Sequence, residues 1–190
     1  MKLDISEFTG KITENEVFVG SGFLIDAKCF ITARHNLISP LQDEVDEKWV
    51  SVDIGRGKTV RGKTLNLKQA YEKNIDCVFI CLEDEVLDTT FTKIVIPTSA
   101  TVGLNYAIYG YPKERVEGIE IKGTVASDAE ARSIDFVLNV DKIDKLQSYK
   151  GLSGAPIVIN GFIVGIVLQQ ETSEQLYGIS FKRIKESFPE

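Results

Sequence analysis

Apolar residues recur along this chain in short runs with a period near two, and turn-forming residues separate the runs. Val, Ile, Phe and Thr fill the runs, while Gly, Asp, Asn and Pro fill the gaps, a pattern that predicts strands. In the first half the predicted strands cover 16–26, 28–33, 48–54, 58–65 and 76–82. In the second half they cover 104–111, 116–127, 133–140, 155–159, 162–168 and 176–181. Asn160-Gly161 lies between two of these runs, and both residue types tolerate positive φ. A type I′ turn is expected there, with a hairpin over 155–168. Helix is scarce. Phe181, Ile184 and Phe188 fall at helical spacing among Lys and Glu and predict a short amphipathic C-terminal helix. Residues 41–49 fit either a helical turn or a loop. The stretch 84–100 reads as an irregular crossing between two β groups, which divides the chain into 1–95 and 96–190. No internal repeat or low-complexity tract is visible. The pattern defines an all-β protein, a sandwich or barrels.

Composition narrows the function classes. Of 190 residues, 43% are hydrophobic and 26% charged, which excludes a disordered chain and suffices for a core without disulfide staples. The net charge of -6 leaves no basic surplus to neutralise phosphates, so a nucleic-acid partner is not expected. Three cysteines are too few, and odd in number, for a secreted disulfide framework. The chain opens MKLDISEFTGK, with acids where a leader needs apolar residues, and no run approaches a membrane span. These features lead to the expectation of a soluble protein in a reducing cytoplasm, with no membrane partner. Cys77 and Cys81 lie four apart in one strand-like run and are expected on a shared core face. One histidine and scattered cysteines offer no zinc-type spacing, so neither metal nor cofactor is expected.

Three residues carry candidate chemistry. His35 ends the run Phe30–His35; the ordinary use of such a residue is a satisfied strand-end histidine. Asp76 opens the apolar run 77–82; it is either a solvated strand start or a carboxylate that orients an imidazole. Ser153 sits in Gly151-Leu152-Ser153-Gly154-Ala155-Pro156. That segment is either a plain Gly-rich turn or one that exposes a nucleophilic Oγ beside backbone N–H donors. The order His35, Asp76, Ser153, each in its own β context, is far more specific than any one of them.

Taken together these residues resemble the chymotrypsin/trypsin-like serine peptidase family. Gly20-Ser21-Gly22-Phe23-Leu24-Ile25 followed by Phe30-Ile31-Thr32-Ala33-Arg34-His35 is similar to the family's histidine block. Asn74-Ile75-Asp76-Cys77-Val78-Phe79-Ile80-Cys81-Leu82 is similar to its aspartate block. Gly151–Pro156 followed by Gly161-Phe162-Ile163-Val164-Gly165-Ile166-Val167 is similar to its serine block. Weaker likenesses at Val95-Ile96-Pro97, at 102–111 and at Tyr177-Gly178-Ile179 extend it over essentially the whole chain. The resemblance implies two six-stranded β-barrels and a short C-terminal helix. The barrel of 1–95 would carry His35 and Asp76, and that of 96–190 would carry Ser153 and the substrate pocket. It implies a Ser-His-Asp triad of Ser153, His35 and Asp76, with the Gly151 and Ser153 N–H groups as oxyanion hole. It implies hydrolysis of peptide bonds in a protein or peptide substrate.

Departures from the family matter as well. No I-V-G-G start is present, so activation through a new N-terminus is not expected. The family's cysteine after the histidine is Asn36 here, which implies that Cys29 lacks its usual disulfide partner. Arg34 stands where a small residue is usual; it is either solvated or paired with an acid. The combination is most similar to intracellular bacterial trypsin-like domains, which implies a specific intracellular target, a setting within or beside a larger regulatory protein, and in some cases antiviral defence. The resemblance places the pocket at Gln147, Ser148, Lys150, Leu168, Gln169, Gln170 and Gly178. A neutral base at Gln147 does not favour strict Lys or Arg specificity, although Asp141 and Asp144 lie near in sequence. The alternative function is a silent or latent domain of the same fold, serving as a binding or sensor module.

Overall fold

The computed structural model describes residues 4–38, 46–54, 57–86, 102–127, 134–142 and 146–189. Among these residues twelve strands form two closed antiparallel barrels. The first contains β1 (Thr9–Glu14), β2 (Val17–Leu24), β3 (Cys29–Thr32), β4 (Trp49–Ile54), β5 (Lys58–Thr64) and β6 (Val78–Leu82). The second contains β7 (Asn105–Gly110), β8 (Ile119–Ser127), β9 (Phe136–Val140), β10 (Pro156–Ile159), β11 (Phe162–Thr172) and β12 (Gln175–Ser180). Helix α1 (Leu67–Glu72) lies between β5 and β6, and α2 (Phe181–Ser187) follows β12. The strand orders are β1-β2-β3-β6-β5-β4 and β7-β8-β9-β12-β11-β10, the same circuit twice. The topology therefore repeats where the sequence shows no repeat, because a barrel needs only the alternation of inward and outward positions.

That alternation builds both cores. Val50, Val52 and Ile54 of β4 and Val78, Ile80 and Leu82 of β6 point into the first barrel. Phe136, Leu138 and Val140 of β9 do the same in the second. The hairpin at Asn160-Gly161 has φ of 52° and 79°, the two positive values of a type I′ turn, and Ile159 pairs with Phe162 across it. Strand β1 is absent from the sequence prediction, since Thr-Gly-Lys-Ile-Thr-Glu has one apolar side chain, Ile12. It is a strand because its backbone bonds to β2 on one side and β4 on the other and so closes the barrel. Helix α1 escapes prediction for a similar reason: one turn and a half buries only Leu67 and Ala70. Residues 41–45 lie outside the described residues, and Trp49 opens β4. The division between 95 and 96 also lies outside them, as does Val95-Ile96-Pro97.

Helix α2 fastens the end of the second barrel to the first. Asp135 accepts from the Ser180 N–H at 2.7 Å and from Ser180 Oγ at 2.8 Å, and its other oxygen takes Arg183 Nε at 2.8 Å. Ser180 Oγ in turn caps the helix by accepting from Arg183 N–H at 3.2 Å. The helix then lays Phe181 edge-on against Phe23, with ring centroids 6.3 Å apart. Phe188 beyond it meets Phe79 in the same way at 6.0 Å. No helix of the described residues is long and apolar enough to cross a membrane.

The cysteines depart from one expectation, the shared core face of Cys77 and Cys81. Cys77 is buried and Cys81 exposed. Cys77 lies just before β6, where the alternation has not begun, since both 77 and 78 face inward. Cys29 is a free thiol, and the residue set against Asn36 is not this cysteine. The backbone next to Asn36 is Gly20, where a Cβ would stand 2.3 Å from Asn36 Nδ2. Cys29 instead faces Cys81 across the β3–β6 pair.

Candidate active site

Antiparallel register brings His35 and Asp76 together. Thr32, at the end of β3, pairs with Val78, at the start of β6. The chain leaving β3 therefore meets the chain entering β6. A 3-10 turn, Arg34–Asn36, folds His35 back toward that junction. Asp76 then holds the histidine at two points: Oδ1 accepts the His35 backbone N–H at 2.9 Å, and Oδ2 lies 2.6 Å from Nδ1. Burial pushes the Asp76 carboxyl up, but the His35 contacts and the Arg34 charge outweigh it and hold the group below the usual carboxylate range. Arg34 is half-buried and forms no ion pair among the described residues. Its guanidinium lies over the Tyr71 ring of α1 at 5.5 Å from the centroid.

Ser153 arrives from the second barrel, in the turn before β10. Leu152 is driven into the second core, and the adjoining Gly151 and Gly154 take φ of 96° and 89°, a backbone open mainly to glycine. Ser153 is left at the seam between barrels, and the first barrel grips it there. Its carbonyl accepts from Ser21 N–H at 3.1 Å and from Asn36 Nδ2 at 2.9 Å. Ser21 Oγ donates to the Gly151 carbonyl at 2.7 Å and accepts from Tyr111 N–H at 2.9 Å. Thr32 Oγ1 donates to the Ser21 carbonyl at 2.7 Å and accepts from Asn36 Nδ2 at 3.0 Å. With the carbonyls of Gly151 and Ser153 fixed in this way, no group among the described residues accepts the N–H of either residue.

The Ser153 hydroxyl donates to the Leu168 carbonyl at 2.6 Å. That carbonyl is available because Leu168 is a bulge: Val167 pairs with Gly178 and Gln169 with Tyr177, which leaves Leu168 without a partner on β12. Among the described residues no hydrogen bond joins Ser153 Oγ to His35 Nε2. The site thus has an oriented imidazole, an anchored serine and two open N–H groups, with the hydroxyl turned to β11.

Of the residues implied as pocket, Gln147, Lys150 and Gln169 are exposed, and Ser148 and Gln170 half-buried. The side chain of Gln170 accepts the Tyr149 N–H at 3.0 Å and ties the two segments together. Leu168 is buried. Gly178 is buried too, and a Cβ there would stand 2.4 Å from Ile157 Cδ1, inside the second barrel. Asp141 is exposed, and Asp144 lies outside the described residues. Ser21, Thr32 and Asn36 are positioning residues that the sequence reading passed over. Their signal was present: Ser21 between two glycines, and Asn36 directly after the histidine.

Gly154 gives the seam its first test. A Cβ there would meet the Ser21 carbonyl at 2.2 Å, Thr32 Oγ1 at 2.5 Å and Ala33 N at 2.9 Å. Gly154→Ala therefore adds overpacking to an unfavourable φ and should destabilise the fold by about 3–5 kcal/mol. A thermal melt should show a fall in Tm on the order of 10 °C; an unchanged Tm would mean the barrels separate freely here.

No family model matches the sequence, and no curated protein matches it. Solved structures do match in fold. The inactive form of the Rv3671c protease superposes with a TM-score of 0.68 at 16% identity, over 97% of this chain and 89% of that one. Kallikrein-related peptidase 10 in complex with zinc gives 0.67 at 13% identity, over 96% and 94%. An inactive serine-to-alanine mutant of Rv3671c from M. tuberculosis H37Rv gives 0.67 at 15% identity, over 97% and 86%. The chain has the chymotrypsin-like double-barrel fold.

Proposed function

We propose that this chain is a serine endopeptidase with Ser153 as nucleophile, His35 as general base and acid, and Asp76 as the group that orients the imidazole. The reading is supported most directly by the seam. The first barrel grips the Ser153 carbonyl through Ser21 and Asn36, and Asn36 immediately follows the histidine that Asp76 holds at two points. In this reading Ser153 Oγ rotates away from Leu168 and attacks the substrate carbonyl carbon, giving its proton to His35 Nε2. The Gly151 and Ser153 N–H groups receive the developing oxyanion. Collapse breaks the C–N bond, and the amine leaves with the proton from His35. Water, deprotonated in turn by His35, releases the acyl group and restores the hydroxyl. The substrate is a protein or peptide. An intracellular target, a regulatory partner, bacterial origin and a role in defence complete the proposal and rest on the family resemblance.

One observation favours a second reading, a latent or silent domain: Ser153 Oγ is hydrogen-bonded to Leu168 instead of His35. Intact mass after incubation with a fluorophosphonate separates the two. A single adduct on the wild type, absent from Ser153→Ala, is the expected outcome. Folded wild-type protein that takes no adduct would overturn the peptidase reading in favour of the latent one.

A further inference from the structure

Cys29 and Cys81 stand directly opposite each other on β3 and β6. The Leu82 N–H donates to the Lys28 carbonyl at 2.8 Å, so residues 28 and 82 form a hydrogen-bonded pair on this ladder. In an antiparallel ladder bonded and non-bonded pairs alternate. Cys29 and Cys81 therefore occupy a non-hydrogen-bonded position, where Cα atoms lie about 4.5 Å apart and the side chains share one face. A disulfide spans Cα separations of about 4.4–6.8 Å. Cys81 is exposed, Cys29 is half-buried, and both thiols are free. We propose that Cys29 and Cys81 form a reversible cross-strand disulfide when the protein meets a small-molecule disulfide.

The chemistry balances as two thiol–disulfide exchanges. The exposed Cys81, as thiolate, attacks one sulfur of the small disulfide; its S–S bond breaks and one small thiol leaves. Cys29 then loses its proton and attacks Cys81 Sγ, expelling the second small thiol. Two protein thiols are oxidised and one disulfide is reduced. Burial, Asp26 and Cys81 push the Cys29 thiol up to about 12, which disfavours Cys29 as the first attacker; in the second step the register has already set its partner beside it. Cys77 is fully buried at the foot of β6 and has no cysteine opposite it.

The bond would act where the candidate site is held. Strand β3 runs into the turn that carries His35, and β6 begins two residues after Asp76. A covalent tie between these strands locks their register and closes the loop from 29 to 81 in the unfolded chain. Reduction leaves the register to backbone hydrogen bonds and packing alone. The bond forms whether or not Ser153 is reactive.

The test equilibrates the whole chain with glutathione disulfide, followed by intact mass and a non-reducing peptide map. The expected result is the loss of two hydrogens, a peptide linking Cys29 to Cys81, and a rise in Tm on the order of 10 °C that a reductant reverses. Cys29→Ser and Cys81→Ser should each abolish the rise. The map on the wild type decides the matter even if a variant fails to fold. Three thiols that all remain alkylatable, glutathione that stays on Cys81 without a bridge, or a bridge through Cys77 would each overturn the proposal. Fluorophosphonate labelling of the same sample reads the peptidase proposal separately.

Discussion

Ser153→Ala should lower kcat on a peptide amide substrate by about six orders of magnitude while leaving the melting curve nearly in place. The two effects separate because the side chain has little structural work. Its one hydrogen bond among the described residues goes to the carbonyl of Leu168, a bulge residue, and losing such a bond costs about 0.5–1.5 kcal/mol. The anchoring of the turn runs through the backbone instead: the Ser153 carbonyl keeps Ser21 and Asn36, and Leu152 keeps its place in the core. His35→Ala should produce a loss of similar size. The double variant should be little worse than either single one, since residues that act as one unit do not contribute additively. Steady-state kinetics with a parallel thermal melt checks all three. A Ser153→Ala protein that turns over at the wild-type rate would remove this serine from the mechanism.

Legibility in the sequence followed burial. Strands with one face in a core announced themselves: Val50, Val52 and Ile54, or Val78, Ile80 and Leu82, alternate with less buried neighbours because the barrel wall has an inside and an outside. Strand β1 was silent because its role is to supply backbone bonds to β2 and β4. The second circuit of six strands was silent as a repeat for a related reason. Topology is set by which edges pair, and many unrelated apolar residues fill the same inward positions. The three candidate residues were legible as chemistry. That His35 and Asp76 meet was implied by the family resemblance alone and not by any local pattern, since it depends on Thr32 facing Val78 across two strands distant in sequence.

The cysteines show the opposite failure. Spacing by four suggested that Cys77 and Cys81 share a face, but spacing has meaning only inside a strand, and β6 starts at Val78. Similarity to a disulfide-bearing family implied only that Cys29 lacks its usual partner, with Asn36 in that place. In space it is Gly20 that lies against Asn36, and Cys29 lies against Cys81. Pairing across a sheet is a property of register, and no single-strand pattern encodes it.

Asp76→Asn should lower kcat/KM by about four orders of magnitude, and the physical cause differs from that of losing the nucleophile. Asp76 accepts twice, from the His35 backbone N–H and from Nδ1, and a carboxylate has an oxygen for each. An amide has one. If the oxygen of the introduced amide keeps the backbone N–H, its NH2 faces Nδ1 and selects the tautomer with the proton on Nε2. That tautomer cannot take a proton from Ser153. The same substitution tests the electrostatics of folding. Because the folded carboxyl titrates below its ordinary value of about 3.9, its charge stabilises the native state above that pH. The contribution fades as pH falls through the unfolded value toward and past the folded one. The stability difference between wild type and Asp76→Asn should therefore be flat from neutral pH down to about pH 5 as far as this group is concerned, and should shrink below about pH 4. Denaturant melts of both proteins across that range measure it. A gap that widens in acid would show that Asp76 is held in its protonated form, and an acid at that position could not accept from both donors of His35.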